Sequence, residues 1–204
     1  MMNEGFLLKG ESKERVIVFD LDDTLVKTDA KIKVMSSKTG KVIRELTPEE
    51  FNFYIESPGK FLSFEEFEDP EILRKGKFIS GVIKKLLSYY RRNIPVAIVT
   101  ARSNTKLIRD FFLERGIDIH PELVIAVSDP VQGLTGSVAE RKLTALERLH
   151  KMGFKYFTFF DDNEENLKLA KELESKAGVE VELVKVEDAS PKKFKYYNNQ
   201  REGD

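Results

Sequence analysis

Residues 16–19 read Val-Ile-Val-Phe and run straight into Asp20, Leu21, Asp22, Asp23, Thr24 and Leu25. An unbroken β-branched and aromatic run of this kind suits a strand covered on both faces. Two carboxylates one residue apart stand where that strand should end. Alternation puts Asp20 and Asp22 on the same side while the chain stays extended. Neighbouring carboxylates repel, and each loses hydration near a core, so the pair calls for compensation that a divalent cation would supply. The same residues also suit a polar turn capped by Asp. The two readings separate on whether other segments of the chain end in matching chemistry.

Four further apolar strands are expected at residues 95–100, 123–127, 156–161 and 179–186, after a first at 16–21. Helical patterns between the later ones stop at Gly116, Gly153 and Gly178, where a left-handed C-terminal cap belongs. Strand, helix, glycine, strand is the rhythm of an α/β protein, and the expected fold is a Rossmann-like three-layer parallel sheet. Right-handed crossovers would put helices on both of its faces.

Residues 27–76 break that rhythm. Lys31 to Val34 and then Lys41 to Leu46 alternate charged and apolar residues around Ser37, Lys38, Thr39 and Gly40, the pattern of a β-hairpin. Thr47, followed by Pro48, Glu49 and Glu50, marks a helix start with Thr as the N-cap. The expected organisation is a core of residues 1–26 and 77–189, a small cap insertion of hairpin plus helix at 27–76, and a C-terminal tail at 190–204. A chain of 204 residues accommodates one such domain with its insertion. Lys31, Lys33, Lys38, Lys41 and Arg44 form a modest basic cluster, read either as a lysine-protected strand edge or as a contact for a polyanion. The tail interleaves Lys192, Lys193 and Lys195 with Phe194, Tyr196 and Tyr197, a composition that suits nucleic acid or a loosely packed terminus.

Several function classes drop out. The net charge of −1 gives no general pull toward nucleic acid or membrane. The absence of cysteine removes disulfides, thiolate metal sites and a cysteine nucleophile. His120 and His150 are too few for a histidine metal site and read as surface or loop residues. No apolar stretch reaches the length of a membrane span, and the N-terminus, with Asn3, Glu4 and Lys9, lacks a signal-peptide core. A cytoplasmic protein without a membrane partner is the expectation.

Ligands of open parallel sheets bind at the carboxyl ends of the strands. The residues there are Asp20 with Asp22, Thr100, and Asp161 with Asp162. A hydroxyl and several carboxylates at one edge suit phosphoryl chemistry with Mg²⁺, which prefers oxygen ligands and keeps several waters. Thr100, Ala101 and Arg102 precede a helix expected to begin near Ser103 or Asn104, so a phosphate there would meet a hydroxyl, backbone N–H groups and a positive helix end. Taken singly, Thr100 also fits a strand-end residue and Arg102 a surface charge. In the helix around residues 137–151, Val138, Ala145, Leu146 and Leu149 form an apolar stripe with Lys142 in its middle, whereas Arg141 and Arg148 fall toward the solvated edge. A lysine centred on a buried face needs an anionic partner or room to snorkel. Asp162 or Asn163 could cap the helix carrying Leu167, Ala170 and Leu173, but a cap needs only one acid.

In this order, Phe19-Asp20-Leu21-Asp22-Asp23-Thr24-Leu25, the strand ending in Thr100, Lys142, and Asp161-Asp162 resemble the four motifs of the haloacid dehalogenase superfamily, over residues 15–26 and 81–186. The resemblance implies a phosphatase in which Asp20 is the nucleophile and Asp22 the general acid and base. It implies that Thr100 and Lys142 hold and neutralise the phosphoryl group, beside the phosphate contact expected of Ala101 and Arg102 from the helix start. The implied Mg²⁺ site is Asp20, the backbone carbonyl of Asp22, Asp161 and Asp162, the last directly or through water. Members that cleave carbon–halogen bonds generally lack the second Asp, so Asp22 argues for phosphate. Asp23 departs from the Gly of many relatives. The layout also looks similar to the 3′-phosphatase domain of polynucleotide kinase-phosphatases, which implies a nucleic-acid end as the phosphorylated substrate; a small-molecule phosphatase, acting on a nucleotide or sugar phosphate, is the alternative within the enzyme class. The alternatives are a non-catalytic phospho-ligand binding protein or a phosphotransferase of the same fold.

Overall fold

The computed structural model describes residues 14–51, 53–187 and 194–196. In chain order its elements are β1 (Arg15–Phe19), β2 (Val26–Lys27), β3 (Ile32–Ser36), β4 (Val42–Leu46), α1 (Pro48–Phe51), β5 (Lys60–Ser63), α2 (Pro70–Lys75), β6 (Lys77–Phe78), α3 (Ser80–Arg91), β7 (Val96–Thr100), α4 (Thr105–Leu113), β8 (Val124–Ala126), α5 (Val138–Lys151), β9 (Tyr156–Asp161), α6 (Glu164–Ala177), β10 (Glu180–Val186) and β11 (Phe194–Tyr196). They divide into two compact units, one of the chain up to Lys27 and from Phe78 onward, the other of Thr28–Lys77.

The first unit is α/β, a parallel sheet of five strands flanked by helices, consistent with a Rossmann-like fold. Its strand order is β11-β10-β9-β1-β7-β8. The pairs β10/β9, β9/β1, β1/β7 and β7/β8 are parallel. The chain leaves β1 toward β7 and β8 on one side, then crosses to β9 and β10 on the other. That reversal of direction between β1 and β9 is a topological switch point, where the connections part and leave a crevice at the strands' carboxyl ends.

Burial explains the central strand. Val16, Ile17, Val18 and Phe19 have no exposed surface, as the unbroken apolar run requires. Phe19 pairs in register with Phe160, and their rings stack with centroids 4.6 Å apart. The helices carry conventional ends. Ser137 and Glu140 form a reciprocal capping box that starts α5, and Gly178, at φ 66°, ends α6 in the left-handed conformation glycine tolerates best. Among the described residues no helix is long and apolar enough to cross a membrane.

The edge strand of this sheet was not expected. Phe194–Tyr196 lies in the segment read as a tail, yet it adds to the sheet as an antiparallel edge beside β10. The remaining tail residues, 190–193 and 197–204, lie outside the described residues, as does the N-terminal stretch holding Asn3, Glu4 and Lys9.

The second unit begins and ends one residue later than the insertion read from the sequence. Its hairpin is present as β3 and β4, and a third strand, β5, joins antiparallel to β3. Ile32, Val34 and Leu46 form the core, packed by Phe51, Tyr54, Leu62 and Phe67. Thr47 caps α1: its Oγ1 accepts from Glu50 N at 3.1 Å, and the Glu50 carboxylate accepts from Thr47 N at 2.9 Å. The helix is only four residues long. Two members of the basic cluster have acidic neighbours, Lys33 at Glu65 and Glu66 (2.6 and 3.2 Å) and Arg44 at Glu50 (3.3 Å).

The turn after β1 rests on Asp23, which holds φ 57° while its N–H donates to Val26 O at 2.9 Å. Asp tolerates the left-handed region better than most residues, and a β-branched side chain tolerates it worst. Asp23→Val is therefore expected to destabilise the protein by ~1–2 kcal/mol, while Asp23→Gly changes stability by less than ~1 kcal/mol. Chemical denaturation of the two variants measures this, and equal midpoints would remove the backbone explanation.

Candidate active site

Register brings the first two acids together. Because Phe19 pairs with Phe160, the next residues on the two strands, Asp20 and Asp161, stand side by side at the switch point. The ladder continues one step further, with Asp20 N donating to Phe160 O at 2.9 Å. Asp20 and Asp161 are both buried, and Asp162 is half-buried. One carboxylate oxygen from each of the three lies within 4.8 Å of the others.

Lys142 reaches this group from α5. Its Nζ donates to Asp20 Oδ1 at 2.8 Å and to Asp161 Oδ2 at 2.7 Å. The side chain is only 3% exposed, so the middle of the apolar stripe is where the lysine lies. Ala139, Leu143, Ala145, Leu146 and Leu149 are the buried apolar residues of the same helix. Asp161 is held from below as well. Its Oδ1 accepts from Asn163 N at 2.9 Å and from Asn166 Nδ2 at 3.0 Å, and Asn166 also reaches Oδ2 at 3.2 Å. Thr24 Oγ1 approaches Asp162 Oδ1 at 3.4 Å.

The charges do not balance. Burial alone would favour a neutral lysine, but the carboxylates of Asp161 and Asp20 outweigh it and hold Lys142 firmly as the ammonium. Burial pushes Asp20 well above the ordinary carboxylate range; Lys142 opposes this, and Asp161 and Asp162 add to it. Burial and Asp161 raise Asp162 to about 7, with Asp23 contributing and Lys142 opposing. Three carboxylates thus share one ammonium. Lys142 engages only Oδ1 of Asp20, and Oδ2 has no donor among the described residues. An all-oxygen donor set with excess negative charge fits a hard divalent cation such as Mg²⁺.

Asp22 is placed differently from the other acids. Its carboxylate is not one of the converging group; instead Oδ2 accepts from Arg102 Nε and Oδ1 from Arg102 Nη2, both at 2.8 Å. Only its backbone carbonyl is left for the metal-binding part implied by the resemblance. Arg102, which taken singly fits a surface charge, is 3% exposed. Thr100 is buried at the end of β7, and its Oγ1 accepts from Arg102 N at 3.3 Å. Ala101 is exposed. Asn104 caps α4 by accepting from Leu107 N at 2.9 Å, close to the expected helix start.

Arg148 is not the solvated edge residue expected. Its guanidinium donates to Gln132 Oε1 and to the Gln132 carbonyl, at 3.0 and 2.7 Å, which ties α5 to the loop after β8. Sequence reasoning also passed over Asn166. The signal was available: a polar residue in line with Leu167, Ala170 and Leu173 is the same anomaly that marks Lys142. The chain matches no protein-family model and no curated protein sequence.

A pH dependence follows from Asp162. With its proton held up to about 7, the folded chain keeps a proton that the unfolded carboxylate, near 3.8, has already released. Stability from this group is therefore fully present below about pH 3.8 and is lost as pH rises through about 7, and Asp20 acts with the same sign. The lowered carboxylates of Glu50, Asp129, Glu140, Glu164 and Glu174 titrate in more acidic solution and do not mask it. Cation-free protein is expected to lose a few °C in Tm between about pH 5 and pH 8. Saturating Mg²⁺ should flatten that slope, and Asp162→Asn should reduce it. A cation-free Tm that rises over the interval would contradict the assignment.

Proposed function

We propose that the chain is a Mg²⁺-dependent phosphatase of the haloacid dehalogenase type, which hydrolyses a phosphate monoester through an aspartyl-phosphate on Asp20. One observation carries the reading: Lys142 bridges Asp20 and Asp161, beside Asp162, at the switch point of a parallel sheet. Capping or core packing needs no such convergence of three acids and a lysine.

Asp20 is the nucleophile. Its Oδ2 attacks phosphorus while Oδ1 stays with Lys142, which fixes the carboxylate and offsets charge on the phosphoryl oxygens. Thr100, at the end of the neighbouring strand, can donate its hydroxyl proton to the same group while its Oγ1 accepts from Arg102 N, and Ala101 adds its N–H. Asp20, Asp161 and Asp162 would hold the cation, with the backbone carbonyl of Asp22. When bound, the cation neutralises charge on the phosphoryl group. Asp22 gives a proton to the leaving oxygen and later takes one from the hydrolytic water. The second unit is the cap in this reading, and the substrates proposed are a nucleic-acid end or a nucleotide.

Phosphate release should be measured from an aryl phosphate, nucleotides, sugar phosphates and oligonucleotides with 3′- or 5′-phosphate, in Mg²⁺ and in chelator. Release is expected only with the cation, and Asp20→Asn should lower it by at least ~1,000-fold while leaving the melting transition cooperative. Activity retained in Asp20→Asn would overturn the nucleophile assignment. No release from any substrate by folded, cation-binding protein would favour a phosphotransferase or a phospho-ligand binder instead.

A further inference from the structure

Asp22 and Arg102 form a partly buried pair whose geometry goes beyond what charge neutralisation requires. The guanidinium presents Nε and Nη2 to the two carboxylate oxygens, each at 2.8 Å, with the Arg102 side chain 1% exposed and Asp22 22% exposed. A planar fork meeting a carboxylate in two places fixes both the position and the plane of that carboxylate, which a lysine cannot do.

Arg102 is itself held on both sides. Its N–H donates to Thr100 Oγ1 at 3.3 Å, and its carbonyl accepts from Ser128 N at 3.2 Å, just beyond β8. Thr100 O accepts from Val127 N at 2.8 Å, so the turn that carries Arg102 is tied to the end of the adjacent strand. The orientation of Asp22, on the chain after β1, is thus set by a residue after β7 that is braced by β8.

We infer that Arg102 is a positioning residue for Asp22, and that it acts chiefly on the second half of the reaction, attack of water on the aspartyl-phosphate. This rests on the phosphatase reading above. Each carboxylate oxygen has two lone pairs, so Asp22 can keep both bonds to Arg102 and still accept a proton from water. In that step the water oxygen bonds to phosphorus as its proton passes to Asp22. The bond from phosphorus to Asp20 breaks, its electron pair returns to the Asp20 carboxylate, and inorganic phosphate leaves. The first step makes a different demand. Asp20 attacks, and the bond to the leaving oxygen breaks with its electron pair. An aryl oxide of low proton affinity departs without help from Asp22. Misplacing Asp22 should therefore spare phosphoenzyme formation from an aryl phosphate and slow its hydrolysis.

The test is a rapid-quench experiment with an aryl phosphate and Mg²⁺, following aryl alcohol, inorganic phosphate and acid-precipitated protein-bound phosphate. Arg102→Lys keeps the charge and loses the fork. It should give a burst of aryl alcohol near one equivalent, at least ~10-fold slower phosphate release, and a raised fraction of phosphoenzyme. In an Asp22→Ala background the same substitution should change the partition no further. Asp22→Glu keeps the ion pair but moves the carboxylate by one methylene, and should show the same burst even if Arg102→Lys is too unstable to assay. A wild-type partition in either Arg102→Lys or Asp22→Glu overturns the inference. So does equal slowing of burst and release, or a full further effect of Arg102→Lys on top of Asp22→Ala. Wild-type protein that releases no phosphate overturns the phosphatase reading and this inference together, whereas active wild type with an unshifted Arg102→Lys overturns only the role of Arg102.

Discussion

The ammonium of Lys142, held between Asp20 and Asp161 with almost no exposed surface, is the interaction on which the rest of the site depends. Moving one ammonium and two carboxylates out of water is unfavourable by several kcal/mol per ion, and only good geometry with further hydrogen bonds offsets it. The distances of 2.7 and 2.8 Å provide the geometry, while Asn163 and Asn166 provide the further bonds to Asp161. Each requirement reaches back into the fold. The β1/β9 register places the two acids side by side, α5 turns its buried face to them, and α6 brings Asn166 up beneath. A slip of one residue in either strand would send one acid to the opposite face of the sheet.

The arrangement separates two kinds of charge. When all three are ionised, Asp20, Asp161 and Asp162 carry more negative charge than Lys142 offsets, and in the proposed reading a second cation would balance it. Asp22 instead has its own guanidinium partner, so its position does not depend on that group. Two neighbouring carboxylates of similar intrinsic acidity are thereby given different surroundings. In the proposed mechanism that difference, rather than residue type, makes one the nucleophile and the other the proton carrier.

Much of this was legible in the sequence, for reasons that vary by element. The five parallel strands are apolar runs with turn signals at each end, and their acids lie at strand ends by simple counting. Lys142 stood out because a helix samples one face at a fixed angular step, so a charge inside an apolar stripe shows in the spacing of the residues alone. Asn166 obeyed the same rule but has a neutral side chain and sits one turn from an obvious N-cap, which gave its polarity a local explanation. The pairing of Asp22 with Arg102 had no local signal at all, because it depends on β1 and β7 being neighbours across 80 residues of chain. Short strands were also missed. Neither Lys60–Ser63 nor Phe194–Tyr196 is long enough to show a period of two, and each exists because an edge of an existing sheet supplies its hydrogen bonds. Arg148 was misjudged because its helical position fits an exposed charge, while the loop carbonyl it binds is fixed only by tertiary structure.

The most direct test of the site's chemistry is to trap the intermediate. Protein turning over an aryl phosphate in Mg²⁺ would be quenched in borohydride, which reduces an acyl phosphate to the alcohol, and its peptides mapped by mass spectrometry. Conversion of Asp20 alone to homoserine, dependent on both substrate and cation, is the expected result. Phosphate release with Asp20 unmodified, or reduction at another carboxylate, would show that Asp20 is not the residue that carries the phosphoryl group.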